Sequence, residues 1–101
     1  MIEVIDIERS YKVKLSKIAV PENKSVGLRD NEIIGQTNLK IRMGFPFSIL
    51  APAKIEGHLR LINTNTVIEI QKCSDITFRI KTDSGVTYQI DILGFPPREF
   101  N

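Results

Sequence analysis

Residues 66–92 read TVIEIQKCSDITFRIKTDSGVTYQIDI, and three runs within them keep a period of two. Ile68 and Ile70 alternate with Glu69 and Gln71. Ile76, Phe78 and Ile80 alternate with Thr77, Arg79 and Lys81. Val86, Tyr88, Ile90 and Ile92 alternate with Thr87, Gln89 and Asp91. Side chains on a strand point to opposite faces in turn, so each run has one dry face and one wet face. β-Branched and aromatic residues of this kind suit a half-buried pleated surface.

The links between the runs agree. Asp83-Ser84-Gly85 is a three-residue hairpin loop with glycine where a left-handed backbone is needed. Ser74-Asp75 is a tighter link, and Asn63-Thr64-Asn65 reads as a turn between HLRLI and TVIEI. Residues 58–92 are therefore expected to form a four-stranded antiparallel meander.

Upstream the pattern is looser. Tyr11, Val13 and Leu15 alternate with Lys12, Lys14 and Ser16, and Leu39, Ile41 and Met43 alternate with Lys40 and Arg42. Ile2, Val4, Ile5 and Ile7 keep no single phase. Phe47–Leu50, between Pro46 and Pro52, reads as a short edge strand. Residues 21–36 read as a long polar connection with a brief helix near Asp30–Ile34, capped by Asp30. Six to seven short strands at this spacing predict an all-β fold, either a small antiparallel barrel or a two-sheet sandwich.

The whole composition fits one domain over residues 1–101. Hydrophobic residues make up 42% and charged residues 26%, ordinary globular values. Fourteen basic and 12 acidic side chains leave a formal charge of +2, too mild to imply an anionic partner. The single cysteine, Cys73, excludes an internal disulfide and a cysteine-cluster metal site, and matches a reducing, cytoplasmic setting. The opening MIEVIDIERS carries acids inside its apolar run and does not read as a secretory signal. No apolar stretch reaches the length of a membrane span.

Catalytic chemistry is not expected. His58 is the only histidine; it follows Gly57 in opposite phase to Leu59 and Leu61 and reads as facing water. Cys73 ends a strand beside Lys72 and reads as a small apolar filler rather than a nucleophile. Glu56, Glu69, Asp75, Asp83 and Asp91 fall on different strands and turns. No spacing resembles a metal or phosphate loop, so neither a cofactor, a metal nor a small-molecule substrate is expected.

Two features remain. Gly-Phe-Pro occurs at 44–46 and again at 94–96, each separated by six residues from a preceding threonine, Thr37 and Thr87. The apolar phase before the two copies differs by one residue, which argues against a simple duplication. Turn chemistry reads both copies as strand ends, with Phe45 and Phe95 folded back as plugs over the core. The alternative is a shared patch for a partner. After Gly94 the arm 94–101 carries Phe95, Pro96, Pro97 and Phe100. Stiff prolines and two aromatics make it a candidate anchor, together with Phe45 and Phe47, unless it packs on its own barrel. The second feature is basic. Lys12, Lys14, Lys40, Arg42, Arg60, Arg79 and Lys81 fall on the polar side of the expected strands. Such a face can track phosphates, yet the stacking aromatics of single-strand binders are missing from it.

The sequence thus points to a non-catalytic interaction or regulatory module that binds a protein partner, itself, or both. Its small size and lack of chemistry fit an accessory protein, such as one from a phage or mobile element. The alternative is a nucleic-acid-binding barrel using the basic strand faces.

Overall fold

The computed structural model describes residues 10–21, 31–53 and 57–96. Six antiparallel strands close into one barrel in chain order: β1 (Tyr11–Ala19), β2 (Glu32–Thr37), β3 (Pro46–Pro52), β4 (Leu59–Lys72), β5 (Thr77–Thr82) and β6 (Thr87–Gly94). The last strand pairs with the first. This is the barrel of the two architectures the sequence allowed. Among the described residues no helix is long and apolar enough to cross a membrane.

The expected alternation is clearest on one side. From β1 the residues Val13 and Leu15 point inward, from β6 Tyr88, Ile90 and Ile92, and from β5 Ile80; all are buried. Ile80 pairs with Tyr88, Phe78 and Leu15 each pair with Ile90, and Val13 pairs with Ile92. Thr82 donates its N–H to the Val86 carbonyl, and Gly85, at φ +89°, donates its own to Thr82, closing the predicted 83–85 hairpin.

The other side departs from the expected elements in four places, each for a local reason. Asn63-Thr64-Asn65 is not a turn. It lies inside β4, a single 14-residue strand, so the meander over this stretch has three strands, β4 to β6. The strand changes partner midway, pairing with β3 as far as Thr66 and with β5 from Val67. A register shift occurs at each side of this switch, between Pro46 and Ser48 on β3 and between Val67 and Glu69 on β4. Each is a β-bulge, which bends and twists a strand so that a barrel can close. The phase slips with them: Thr64 and Val67, three residues apart, are both buried. As a result the run HLRLI is inverted relative to expectation. Leu59 and Leu61 face outward, opposite Pro52 and Leu50, while Arg60 shares the phase of Ile62.

Second, the expected strand around Leu39–Met43 is irregular, and the strand lies earlier, at β2, inside what reads as a polar connection. The brief helix is absent from its described part, since Glu32–Ile34 is extended; Asp30 lies outside the described residues. Leu39 has a left-handed backbone, φ +58°, and its N–H is held by the Thr37 hydroxyl at 3.1 Å. Leu39 and Ile41 thereby pack against the buried cluster. Third, Ile76 and Ile68, expected on the dry face, are exposed, as is Ile70. Fourth, Phe47–Leu50 belongs to a barrel strand flanked on both sides, not to an edge.

The β2–β3 seam is the thinnest part of the wall. Its ladder has one register pair, Gln36 with Leu50. Gly35 is essential to this approach, since a Cβ there would lie 2.4 Å from the Leu50 carbonyl oxygen. Side chains supply the missing bonds. Across the seam the buried Thr37 hydroxyl donates to the Ser48 carbonyl at 2.9 Å, while on the other flank of β2 Ser10, just before β1, donates to Gln36 Oε1 at 2.9 Å. At the β3–β4 bulge the Thr64 hydroxyl accepts the Phe47 N–H at 3.0 Å and donates to the Asn65 carbonyl. Among the described residues no buried side-chain polar atom lacks a partner.

Candidate interaction surface

Neighbouring strands in this barrel are all antiparallel, so the start of β1 and β3 and the end of β2, β4 and β6 share one end. Both Gly-Phe-Pro segments lie at that end. Their backbones differ: Gly44 sits in a turn at φ +83°, whereas Gly94 closes β6. The stretch before Gly44 is irregular and the stretch before Gly94 is a strand, which accounts for the phase difference between the copies.

The phenylalanines are not plugs. Phe45 is 57% exposed and Phe95 68% exposed. Leu39, Ile41 and Tyr11 pack against the core where these rings were expected to. Phe95 lies edge-on against Tyr11, ring centres 5.9 Å apart, so its ring has a fixed seat while most of its surface stays open. Leu93 and Ile76 are also exposed at this end of the barrel. Of the other expected anchors, Phe47 is 1% exposed and fills the core, so it has no surface to offer. Pro96 is half-buried. Pro97 and Phe100 lie outside the described residues.

A second apolar strip runs along the outer wall. Leu50 opposes Leu61 there and Pro52 opposes Leu59. Sequence reading missed it because the bulge in β4 hides the phase change that turns Leu59 and Leu61 outward. A cleft of about 650 Å³ lies beside the second half of β4. Its apolar lining is Met43, Ile68, Ile70 and Ile80, and its charged lining is Glu69, Arg79 and Lys81.

The seven bases do not form one sheet face. Lys12 and Lys14 on β1 and Arg79 and Lys81 on β5 share the outer wall, with β6 between them. Lys40 and Arg42 lie in the β2–β3 connection, and Arg60 sits near the start of β4 in the inward phase. Acids interrupt the shared wall. Glu69 opposes Lys81, and Asp91 opposes Lys14. Asp91 also accepts hydrogen bonds from Thr77 at 3.0 Å and from Gln89 at 3.1 Å. Arg79 donates Nε–H to Gln89 Oε1 at 3.1 Å. The wall is thus a hydrogen-bonded mosaic of mixed charge. The aromatic pair of Tyr11 with Phe95 stands at the barrel end and not on this wall.

His58 is exposed, and its carbonyl accepts the Ala53 N–H at 2.9 Å. Cys73, expected as an apolar filler, is exposed; it lies just past the end of β4, in the turn to β5. Among the described residues no group of three or more His, Cys, Asp or Glu is placed to hold a metal ion.

No family model matches this chain. Neither any curated protein nor any solved structure matches it either. The surface itself therefore carries the functional reading.

Proposed function

We propose that the protein is a non-catalytic interaction module, of an accessory or regulatory kind, that grips a partner protein with the apolar end of its barrel. The observation behind this reading is the Phe95 ring, seated on Tyr11 yet 68% exposed. An aromatic that is already oriented loses little freedom on docking and makes an efficient anchor. Phe45, Leu93 and Ile76 are exposed at the same end and supply apolar surface around such an anchor. A cytoplasmic setting belongs to the same proposal, since it keeps the single exposed thiol reduced.

A second reading, nucleic-acid binding, draws on the four bases that share the β5–β6–β1 wall. The interleaved acids and the position of the exposed aromatics favour the first. One experiment separates them. The protein is immobilised and its bound material compared with that of two double variants, Phe45→Ser/Phe95→Ser and Arg79→Ala/Lys81→Ala. The protein-docking reading expects a defined partner that the phenylalanine variant loses and the basic variant keeps, with melting temperatures unchanged. Equal capture by both variants contradicts it. Capture of nucleic acid that fades with salt and is lost by the basic variant favours the second reading.

A further inference from the structure

A 14-residue strand that changes partner midway has, among the described residues, a partner strand along only half of each edge. Among the described residues, β3 pairing ends at Thr66. Val67 then exchanges bonds with the turn, receiving the Gly44 N–H at 2.8 Å and donating its own to Phe45 at 3.0 Å. From Glu69 to Lys72 the strand pairs with β5 alone. Among the described residues its other edge therefore has no partner strand and presents backbone N–H and C=O groups in a row, a template for another strand. Ile70 opposes the buried Ile80 in the inward phase and is nevertheless 40% exposed; among the described residues no strand pairs on that side of it. Met43 and Ile68 are exposed beside it in the same cleft.

We propose that this edge pairs with the same edge of a second copy, antiparallel, about a two-fold axis through Ile70. The inference extends the interaction reading above and rests on the view that this chain works through its surface. The choice of occupant follows from the residues. A two-fold axis perpendicular to the sheet keeps the inner faces of both copies on one side, so residues of like phase oppose each other. Centred on Glu69, the pairing sets two carboxylates face to face, which is destabilising. Centred on Gln71, it sets each Ile70 against a lysine, Lys72. Centred on Ile70, it sets isoleucine against isoleucine and each Glu69 against Gln71, and Lys72 meets Ile68 only at the bulged end of the edge, where regular pairing stops. On the outer face the rung then runs Lys81, Glu69, Gln71, Arg79, with no like charges adjacent. Lys72 brings no uncompensated charge, since Asp75 lies 3.7 Å away in its own turn. The edge is short, and the bulge before Glu69 bounds it, so the dimer is expected to be weak and concentration-dependent.

Sedimentation equilibrium in reducing buffer, over roughly 5–500 µM, tests this at the scale of weak interfaces. The wild-type mass rises toward twice that of one chain. Ile70→Lys and Ile70→Glu each place like charges across the axis and raise the dissociation constant by roughly a hundredfold or more. Mixing the two variants restores the dimer as a heterodimer, a rescue that a folding defect cannot produce. A wild-type protein that stays monomeric throughout overturns the proposal, and so does a dimer that either variant leaves intact. Phe45→Ser/Phe95→Ser leaves this dimer unchanged, so failure here and failure of the partner-docking reading are told apart.

Discussion

The two sides of this barrel are built differently. On the β5–β6–β1 side the backbone ladder is long: β5 pairs with β6 from Thr77 to Lys81, and β6 with β1 along most of the length of each, with register shifts only toward the two ends of β1, between Lys12 and Val13 and between Lys17 and Ala19. On the β2–β3–β4 side the ladder thins to a single register pair, and hydroxyls of Thr37 and Thr64 carry bonds that backbone groups carry elsewhere. A ladder that keeps its register through the middle of its strands imposes a period of two on the sequence there, while a wall held by mid-strand bulges and side chains does not. The same irregularity that hides the second wall from sequence reading turns Leu59 and Leu61 outward and opens the edge beyond Val67.

Two matched substitutions measure the contrast. The larger effect is expected from alanine at glycine. Gly35→Ala forces a Cβ to within 2.4 Å of the Leu50 oxygen and 3.0 Å of Ile49 Cγ1, so β2 must move off β3. A loss on the order of 1–3 kcal/mol or more is expected in urea unfolding. At Gly94, at the end of the β6–β1 ladder, the added Cβ meets Lys12 Cβ at an ordinary 3.6 Å, and the change should stay within about 0.5 kcal/mol. Equal costs at the two sites would erase the distinction.

The smaller effect concerns the hydroxyls. Thr64→Val preserves shape but leaves the buried Phe47 N–H without its acceptor, which costs about 1–3 kcal/mol. Thr64→Ser keeps the acceptor and should recover most of that loss. Thr87→Val at the start of β6, where among the described residues no such bond depends on the side chain, is expected to fall within about 0.5 kcal/mol of wild type. If valine at 64 proves as mild as valine at 87, the hydroxyl is not substituting for the ladder.

These differences also decide how much the sequence reveals. The β5–β6 hairpin, its Gly85 loop and the inward residues of β1 are legible because alternation and turn chemistry agree there. The β4 strand is not. Asn63-Thr64-Asn65 has the composition of a turn, and only the pairing of Asn63 with Ser48 in the folded sheet shows it to be extended. Likewise β2, EIIGQT, carries a glycine and too few residues for a period to stand out, and its glycine is there for close approach to β3. For the surface, the exposure of Phe45 and Phe95 is set by what else reaches the core. Leu39, with its unusual backbone, and Ile41 pack there instead, and no local pattern announces that. The bases of β1 and β5 are legible as outward-facing, but whether strands lie side by side or apart is decided only by closure of the barrel.

Native-state amide exchange tests the central claim most directly. The amides of β1, β5 and β6 should exchange slowest, at rates set by global unfolding. The β2 amides that point across the seam to β3 should exchange at least about tenfold faster, through local opening. Protection across that seam equal to or greater than that of the β6–β1 ladder would contradict a barrel closed on one side by backbone and on the other by side chains.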